Sequence, residues 1–591
     1  MMRESPASKG GLFLLRDTPP ASVFTPADFT EEHLLIRNTA EQFVEQEVLP
    51  QLEAIERQHW DVTVGLLRKC GDLGLLSIEI PEQYGGADLD KVSAAIVAEQ
   101  MARVMSFSVS FGGQSGIGAL PIGYFATEAL KARYLPRIAQ GELITAYALS
   151  ESGSGSDALA ARTTAHRSAD GSRWILNGEK MWITNAAFAD LFIVFAQVDG
   201  REFTCFAVER NAPGVSTGAE ERKMGLKGSS TRTLILDHAS IPIDAVIGEV
   251  GQGRHVAFNI LNLGRAKLAA GALGAGKAAL NESVRYARER VAFGGPIARF
   301  GAIQEKLARM AIRAWATEGM VYRAVASIDA ALAAVDASVP AQALKAIEEY
   351  AIECSILKIY ASEALDFIVD EAVQIHGGYG YSAEYAVERY YRDSRVNRIF
   401  EGTNEINRLI IFNMLMKRAA AGRLPLHEAI HAAAEEVWTG VTVGAPDGPL
   451  QAERAALRQS KQAFLFTAGL ALEKYAQGAA GLSAIKEEQE LLFRLADMAI
   501  AIYAMDTALA RVLKRPRPSE AECAAASTLV GDATAQVERS AIESLARITD
   551  GTKRRESLAA LRRLMAWEPI DSIKLQRVIA GHILDNRRYA L

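Results

Sequence analysis

The chain has 591 residues, 49% of them apolar and 23% charged, with a net charge of −6. That length exceeds one ordinary core and predicts about two to four domains of soluble globular composition, while the mild acidity argues against nucleic acid as a partner. Four scattered cysteines (Cys70, Cys205, Cys354, Cys523) with no CxxC pair suggest neither a disulfide framework nor a thiolate zinc site, which fits a reducing compartment. The N-terminus carries no basic stretch followed by an apolar one, so no signal peptide is expected, and no apolar run approaches the ~20 residues that cross a bilayer.

After an extended lead over 1–27, the apolar spacing from about 28 to 143 is helical, interrupted at Ser108–Phe125 by "SVSFGGQSGIGALPIGYF" with its small residues. Residues 144–250 change character. "RWILNGEKMWITN" and "LFIVFAQVDGREFTCFAVE" alternate, and Asn177-Gly178 and Asp199-Gly200 are hairpin signals, so a β-domain is inserted here. Helical periodicity returns at 251 and holds to about 420, where Gly422 and Pro425 end it. The remaining 421–591 are Ala-rich and helical, broken by "GAPDGP" (444–449) and "KRPRP" (514–518). Within them Leu491, Leu495, Met498, Ile502, Met505, Leu509 and Val512 alternate four and three apart, a bundle seam.

Two stretches imitate known sites. "GALGAGKA" (271–278) nearly matches a phosphate-binding loop, but Ala278 stands where Ser or Thr is needed and no strand precedes it. Small residues for close helix packing explain it better. "HEAIH" (427–431) matches a zinc-peptidase pattern, yet Pro425 puts His427 at a helix start and no third ligand stands out, so no metal is expected. The sharper puzzle is "FEGTNEI" (400–406). Ile406, Leu409, Ile410 and Met414 recur at helix spacing, Thr403 or Asn404 can cap that helix, and Glu405 suits its first turn. No capping role is left for Glu401, which sits between Phe400 and Gly402.

Taken in order, "AYALSESGSGSD", "GEKMWITN", "KMGLKGSSTR", "ERVAFG", "QIHGGYGY" and "RIFEGTNEI" strongly resemble the acyl-CoA dehydrogenase family of flavoenzymes over about residues 30–418. The helical extension makes the chain similar to the very-long-chain branch and its bacterial relatives. The resemblance implies a mainly α fold with an inserted β-domain: an N-terminal helical domain (1–143), a middle β-domain (144–250), a C-terminal four-helix catalytic domain (251–420) and an extra helical domain (421–591). It implies FAD as cofactor and, by similarity, Tyr147, Leu149, Ser150, Gly155 and Ser156 lining the flavin, Trp182 and Ile183 beside its rings, and Thr184 near its hydride-accepting nitrogen. Arg290, Phe293, Phe300, Gly301, Gln374, Ile375, Gly377 and Gly378 would reach the FAD of a neighbouring subunit, which implies a homodimer. Thr403, Asn404 and Glu405 would hold the cofactor from the near subunit.

Glu401 matches the family's catalytic base, which takes a proton from the thioester α-carbon; a partly desolvated carboxylate with a raised pKa suits that task. Ser156, Asn262, Arg265, Phe400 and Gly402 match substrate-contacting positions. Some relatives carry the base just before the arginine of an earlier helix, and here that position is Gly264. Two departures stand out: Ser152 follows Glu151 where proline is usual, and Glu405 stands where some relatives carry glutamine. The implied function is α,β-dehydrogenation of long-chain fatty acyl-CoA in β-oxidation, with electrons passed to electron-transfer flavoprotein. The alternatives are an acyl-CoA oxidase or a non-catalytic assembly protein of the same fold. A bacterial cytoplasmic location follows, with "KRRESLAALRRLMAW" (553–567) as the candidate for peripheral contact at the inner membrane face.

Overall fold

The computed structural model describes residues 9–440, 447–475 and 482–591. The N-terminal helices α1 (Glu31–Phe43), α2 (Trp60–Asp72), α3 (Lys91–Met101) and α4 (Met105–Gly112) pack on one face of a sheet, while α5 (Leu120–Phe125) and α6 (Glu128–Ala139) join the core on its other face. Side chains choose these starts: Thr30, Asp90 and Thr127 accept the N3 amides of α1, α3 and α6. The small-residue stretch after α4 does not interrupt the helix as expected. Gly113–Gly118 continues it as a π-turn into α5, and Gly118 lets it lie against Thr145. Nor is the N-terminal lead extended. From Leu12 to Asp28 it is a series of 3₁₀ turns, with Phe13 and Leu14 buried and Phe13 edge-on to Tyr503 at 4.8 Å.

The sheet comprises β1 (Thr145–Ala148), β2 (Thr164–Arg167), β3 (Arg173–Thr184), β4 (Leu191–Val198), β5 (Glu202–Glu209), β6 (Val215–Thr217), β7 (Thr231–Pro242) and β8 (Val246–Ile247). Its order is β6-β7-β3-β2-β4-β5-β8, with β1 parallel to β4 at its start. Asp199 and Gly200, both left-handed, make the expected hairpin between β4 and β5. Asn177-Gly178 does not turn the chain; it lies inside β3. There Asn177 accepts the His238 amide at 2.8 Å, and a Cβ on Gly178 would lie 2.5 Å from the Thr163 hydroxyl. The glycine serves a close approach between strands. A second irregularity falls between Lys180 and Ile183, where β3 bulges and Trp182 takes a left-handed φ of 63°.

Helices α7 (Gly253–Glu289), α8 (Gly301–Ala333), α10 (Ala351–His376) and α12 (Asn404–Ala420) form a bundle, with α9 (Pro340–Glu348) and α11 (Ala386–Ser394) beside it. The phosphate-loop-like stretch lies inside α7, where a Cβ on Gly274 would sit 1.8 Å from the Glu99 carbonyl oxygen. Close helix packing is its role, and Lys277 is paired with Glu99 and Glu318.

The extension supplies α13 (Leu426–Thr439), α14 (Gln451–Tyr475), α15 (Gln489–Lys514), α16 (Glu520–Ile548), α17 (Gly551–Leu564) and α18 (Ser572–Asp585). The expected break at 444–449 lies partly outside the described residues. The seam residues of α15 are buried in a core continuous with the catalytic bundle. Leu561, Leu564 and Met565 are also buried, so α17 turns charge rather than an apolar face outward. Among the described residues, no helix is long and apolar enough to cross a membrane.

Ionic contacts cross from bundle to extension. Asp506 of α15 takes Arg323 of α8 at 2.9 Å, Lys461 of α14 at 2.8 Å and the Thr18 hydroxyl at 2.6 Å. Asp506→Ala leaves two buried cations without their anion, which costs about 3–5 kcal/mol when a buried pair is broken on one side. The expected result is a marked fall in the thermal and denaturant midpoints; an unchanged midpoint would show the network to be neutral.

Candidate active site

The Phe400–Gly402 segment leads into α12. Glu401 and Gly402 are both left-handed, with φ of 59° and 79°. For a glutamate this conformation costs roughly 1–2 kcal/mol, so the turn has to be held from outside. Arg265 Nε donates to the Glu401 carbonyl at 3.1 Å. Asn407 Nδ2 donates to the Gly402 carbonyl at 2.8 Å and the Thr403 carbonyl at 3.0 Å. Lys358 Nζ reaches the Gly402 carbonyl at 2.7 Å and Asn404 Oδ1 at 2.6 Å. Thr403 caps the helix through the Ile406 amide, as its sequence position predicts.

Every one of these donors goes to backbone or to Asn404, and none to the Glu401 carboxylate. Its Oε2 is out of contact with solvent and has no hydrogen-bond partner. Arg398 pairs with Asp366 at 2.8 Å instead. Burial pushes the Glu401 carboxyl up to about 7, against the pull of Arg265 and then Lys358. Arg265 is itself buried and donates to Asn262 Oδ1 at 2.9 Å. Gly264 faces the same carboxylate: a Cβ there would lie 3.0 Å from both its oxygens.

Glu401 opens on a cleft of about 970 Å³ shared with Thr184, Gly264 and Phe400. Gly112, Gly113, Gly116 and Gly271 line its walls with little bulk. Near it Tyr147 of β1 has a buried phenolic oxygen with no hydrogen-bond partner. Trp182 projects from the bulge 57% exposed, while Ile183 and Leu149 are buried. Gly155 and Ser156 are exposed in the loop that follows. Ser150 accepts the Met181 amide through its carbonyl at 2.9 Å. Despite Ser152, the loop is pinned. Glu151 pairs with fully buried Lys180 at 2.7 Å and accepts the Arg162 and Thr163 amides at 2.6 and 3.0 Å.

Arg290, Ile375, Gly377 and Gly378 gather elsewhere, around a second cleft of about 810 Å³. Arg290 lies 5.3 Å over the Tyr379 ring, and Phe293 is 88% exposed, edge-on to Phe300 at 5.9 Å. Gly301 and Gln374 are exposed nearby in sequence. The Asn404 amide is engaged inside the protein, with Lys358, Ser362 and Glu363, so its side chain has little left for a ligand. Glu405 is exposed. His427 and His431 are also exposed, and among the described residues no group of three His, Cys, Asp or Glu side chains is arranged to hold a metal. Sequence reasoning missed Lys358, Asn407 and the Glu151–Lys180 pair. A lysine inside "SILKIY", an otherwise apolar helical run, was the readable signal for the first.

Family models for the acyl-CoA dehydrogenase N-terminal, middle and C-terminal domains match residues 30–142, 146–239 and 251–416, and a further acyl-CoA dehydrogenase C-terminal model matches 459–563. A Bacillus subtilis (strain 168) protein named as a probable acyl-CoA dehydrogenase is 48% identical over 99% of this chain and 98% of its own. The very long-chain specific acyl-CoA dehydrogenase of Rattus norvegicus mitochondria is 35% identical over 86% of this chain and 76% of its own. A crystal structure of acyl-CoA dehydrogenase complexed with FAD from Bacillus anthracis superposes with a TM-score of 0.96 at 45% identity, covering 99% of this chain and 100% of that one.

The raised carboxyl of Glu401 has a consequence for stability. Its folded-state value of about 7 lies above its ordinary 4.5, so ionising it disfavours the folded state; stability from this group is lost as pH rises from about 4.5 to 7 and is level above that. Glu401→Gln removes the titration. The variant should match the wild type in thermal midpoint near pH 4.5 and exceed it at pH 8. A gap equal at both pH values would contradict the assigned shift.

Proposed function

The chain belongs to the acyl-CoA dehydrogenase family, and we propose that it oxidises long-chain fatty acyl-CoA thioesters to trans-2-enoyl-CoA, with Glu401 as the base. The observation that carries this reading is the Glu401 carboxylate, which lines the cleft with its Oε2 buried and without a hydrogen-bond partner. A base held near neutral pH combines a usable ionised fraction with a strong pull on a weakly acidic α-proton. The Glu401 backbone amide would receive the thioester carbonyl, and Gly402 leaves room for that approach. Arg265 and Asn407 keep the turn from relaxing during proton transfer.

The donor set fits FAD. The orphaned Tyr147 hydroxyl, the pinned loop through Ser150, the half-exposed Trp182 and the cleft-lining Thr184 would hold the flavin rings, and Gly377 and Gly378 have open space around them for a phosphate-bearing tail. When bound, FAD supplies the acceptor for the hydride leaving the β-carbon. The exposed Phe293 and the second cleft around Arg290 support a homodimer in which that cleft serves the partner's cofactor. Electron-transfer flavoprotein is the proposed acceptor on the strength of the family resemblance. The glycine-lined cleft and the extension shared with very-long-chain relatives support a long acyl chain.

Two experiments test the reading. Glu401→Gln keeps shape and removes the base. The flavin-loaded variant should bind acyl-CoA yet lose at least ~10²–10⁴-fold in the rate of anaerobic flavin bleaching. Bleaching near the wild-type rate would sink the assignment. For chain length, Gly116→Gln is the cleaner probe. A Cβ there meets only the Lys267 stem, at 3.5 Å, whereas one on Gly113 would crowd Asn185 at 3.0 Å. The optimum over a ladder of saturated acyl-CoA lengths should move to shorter chains; an unchanged profile would make these glycines packing residues only.

A further inference from the structure

Lys358 lies in α10 with its side chain wholly buried. Its two short hydrogen bonds run to neutral acceptors, the Gly402 carbonyl at 2.7 Å and Asn404 Oδ1 at 2.6 Å. Burying an ammonium without pairing it directly to a carboxylate is costly. The nitrogen also sits at the N-terminal end of α12, where the helix macrodipole disfavours a cation. Helix stability therefore does not account for a lysine here. What lies beside it and needs a positive charge is Glu401, whose carboxylate has no hydrogen-bond donor on Oε2.

We propose that Lys358 is the positioning residue of the base: its ammonium clamps the Gly402 carbonyl to hold the left-handed Glu401–Gly402 turn, and its charge keeps Glu401 ionised. This rests on Glu401 being the base. The groups around the pair come from every packed element. Arg265 of α7 adds a second cation, Glu405 of α12 and Glu363 of α10 oppose it, and Tyr147 of β1 faces Glu401. Burial and then Arg265 pull Lys358 down to about 7, so the ammonium and the carboxyl titrate in the same range and the ammonium acts most strongly on Glu401 at and below neutral pH. The two side chains sustain each other: Lys358 lowers the carboxyl, and Glu401 raises the ammonium. Arg265 exerts the larger pull on the carboxyl and Lys358 adds to it, while Arg265 Nε and Nη1 go to the Glu401 carbonyl and Asn262, so the Gly402 carbonyl is left to Lys358 and Asn407.

The test compares flavin-loaded wild type with Lys358→Met and Lys358→Arg, using palmitoyl-CoA and an artificial electron acceptor over a range of pH. Lys358→Met should move the midpoint of the kcat/KM rise upward by about one pH unit, so that the rate near pH 7 falls about fivefold and recovers by about pH 9. Lys358→Arg, which keeps the charge, should hold the midpoint close to wild type. If the methionine variant does not fold, Lys358→Gln, which can still donate to Gly402 but is neutral, should show the same upward shift. An unshifted midpoint in the neutral variant, or an equal loss at every pH, overturns the proposal. Glu401→Gln separates the two levels. If it bleaches normally, the base assignment fails and this inference with it; if it is inactive while the Lys358 variants keep the wild-type midpoint, only the positioning role fails.

Discussion

The site depends on two consecutive left-handed residues, Glu401 and Gly402, set immediately before a helix. Such a turn exposes three carbonyls inside the protein, at Glu401, Gly402 and Thr403, and a buried acceptor without a donor costs about 1–3 kcal/mol. Arg265, Lys358 and Asn407, from three different helices, meet that demand. Because the donors are used on the backbone, none is left for the carboxylate. The cations stand close enough to moderate its charge yet do not neutralise it by direct hydrogen bonding. A basic carboxylate near neutral pH results from this division of labour.

The sheet side of the cleft works on a similar plan. The bulge that turns Trp182 outward begins one residue after Lys180, and Lys180 is the buried cation that holds Glu151. Glu151 in turn holds Arg162 and Thr163, so the loop and the bulged strand are anchored through one ion pair. This explains how the loop tolerates serine at position 152. Its shape is set by the carboxylate before it and by the Glu151–Ser154 bridge, with no need for a stiff residue after the glutamate.

The extension is part of the catalytic body. Its seam helix shares a continuous apolar core with α8 and α12, and buried charges of the bundle find their partners on it: Arg323 on Asp506 and Glu318 on Arg511. The N-terminal strap closes the same arrangement, with Thr18 on Asp506 and the Gly11 amide on Glu353 at 2.7 Å. Since α8 also packs against α7, which carries Gly264 and Arg265, the extension supports the wall of the site from behind.

Much of this was legible in the linear chain because it is written in short-range spacing. The helical, sheet and helical blocks, the cap at Thr403, the Asp199-Gly200 hairpin and the buried seam from Leu491 to Val512 all follow from residues a few positions apart. The isolation of Glu401 was also readable, since no local role remained for it. Local reading failed where a long-range contact overrode it. Asn177-Gly178 has turn chemistry but is drawn into a strand by His238 and Thr163, and the glycine-rich run after α4 stays helical against Thr145. The partners of the Glu401 turn lay beyond sequence altogether. Arg265 is 136 residues from the carbonyl it holds and Lys358 is 44 from its own. Periodicity tells which face of a helix is buried, but which buried donor meets which buried carbonyl is decided only when the helices pack.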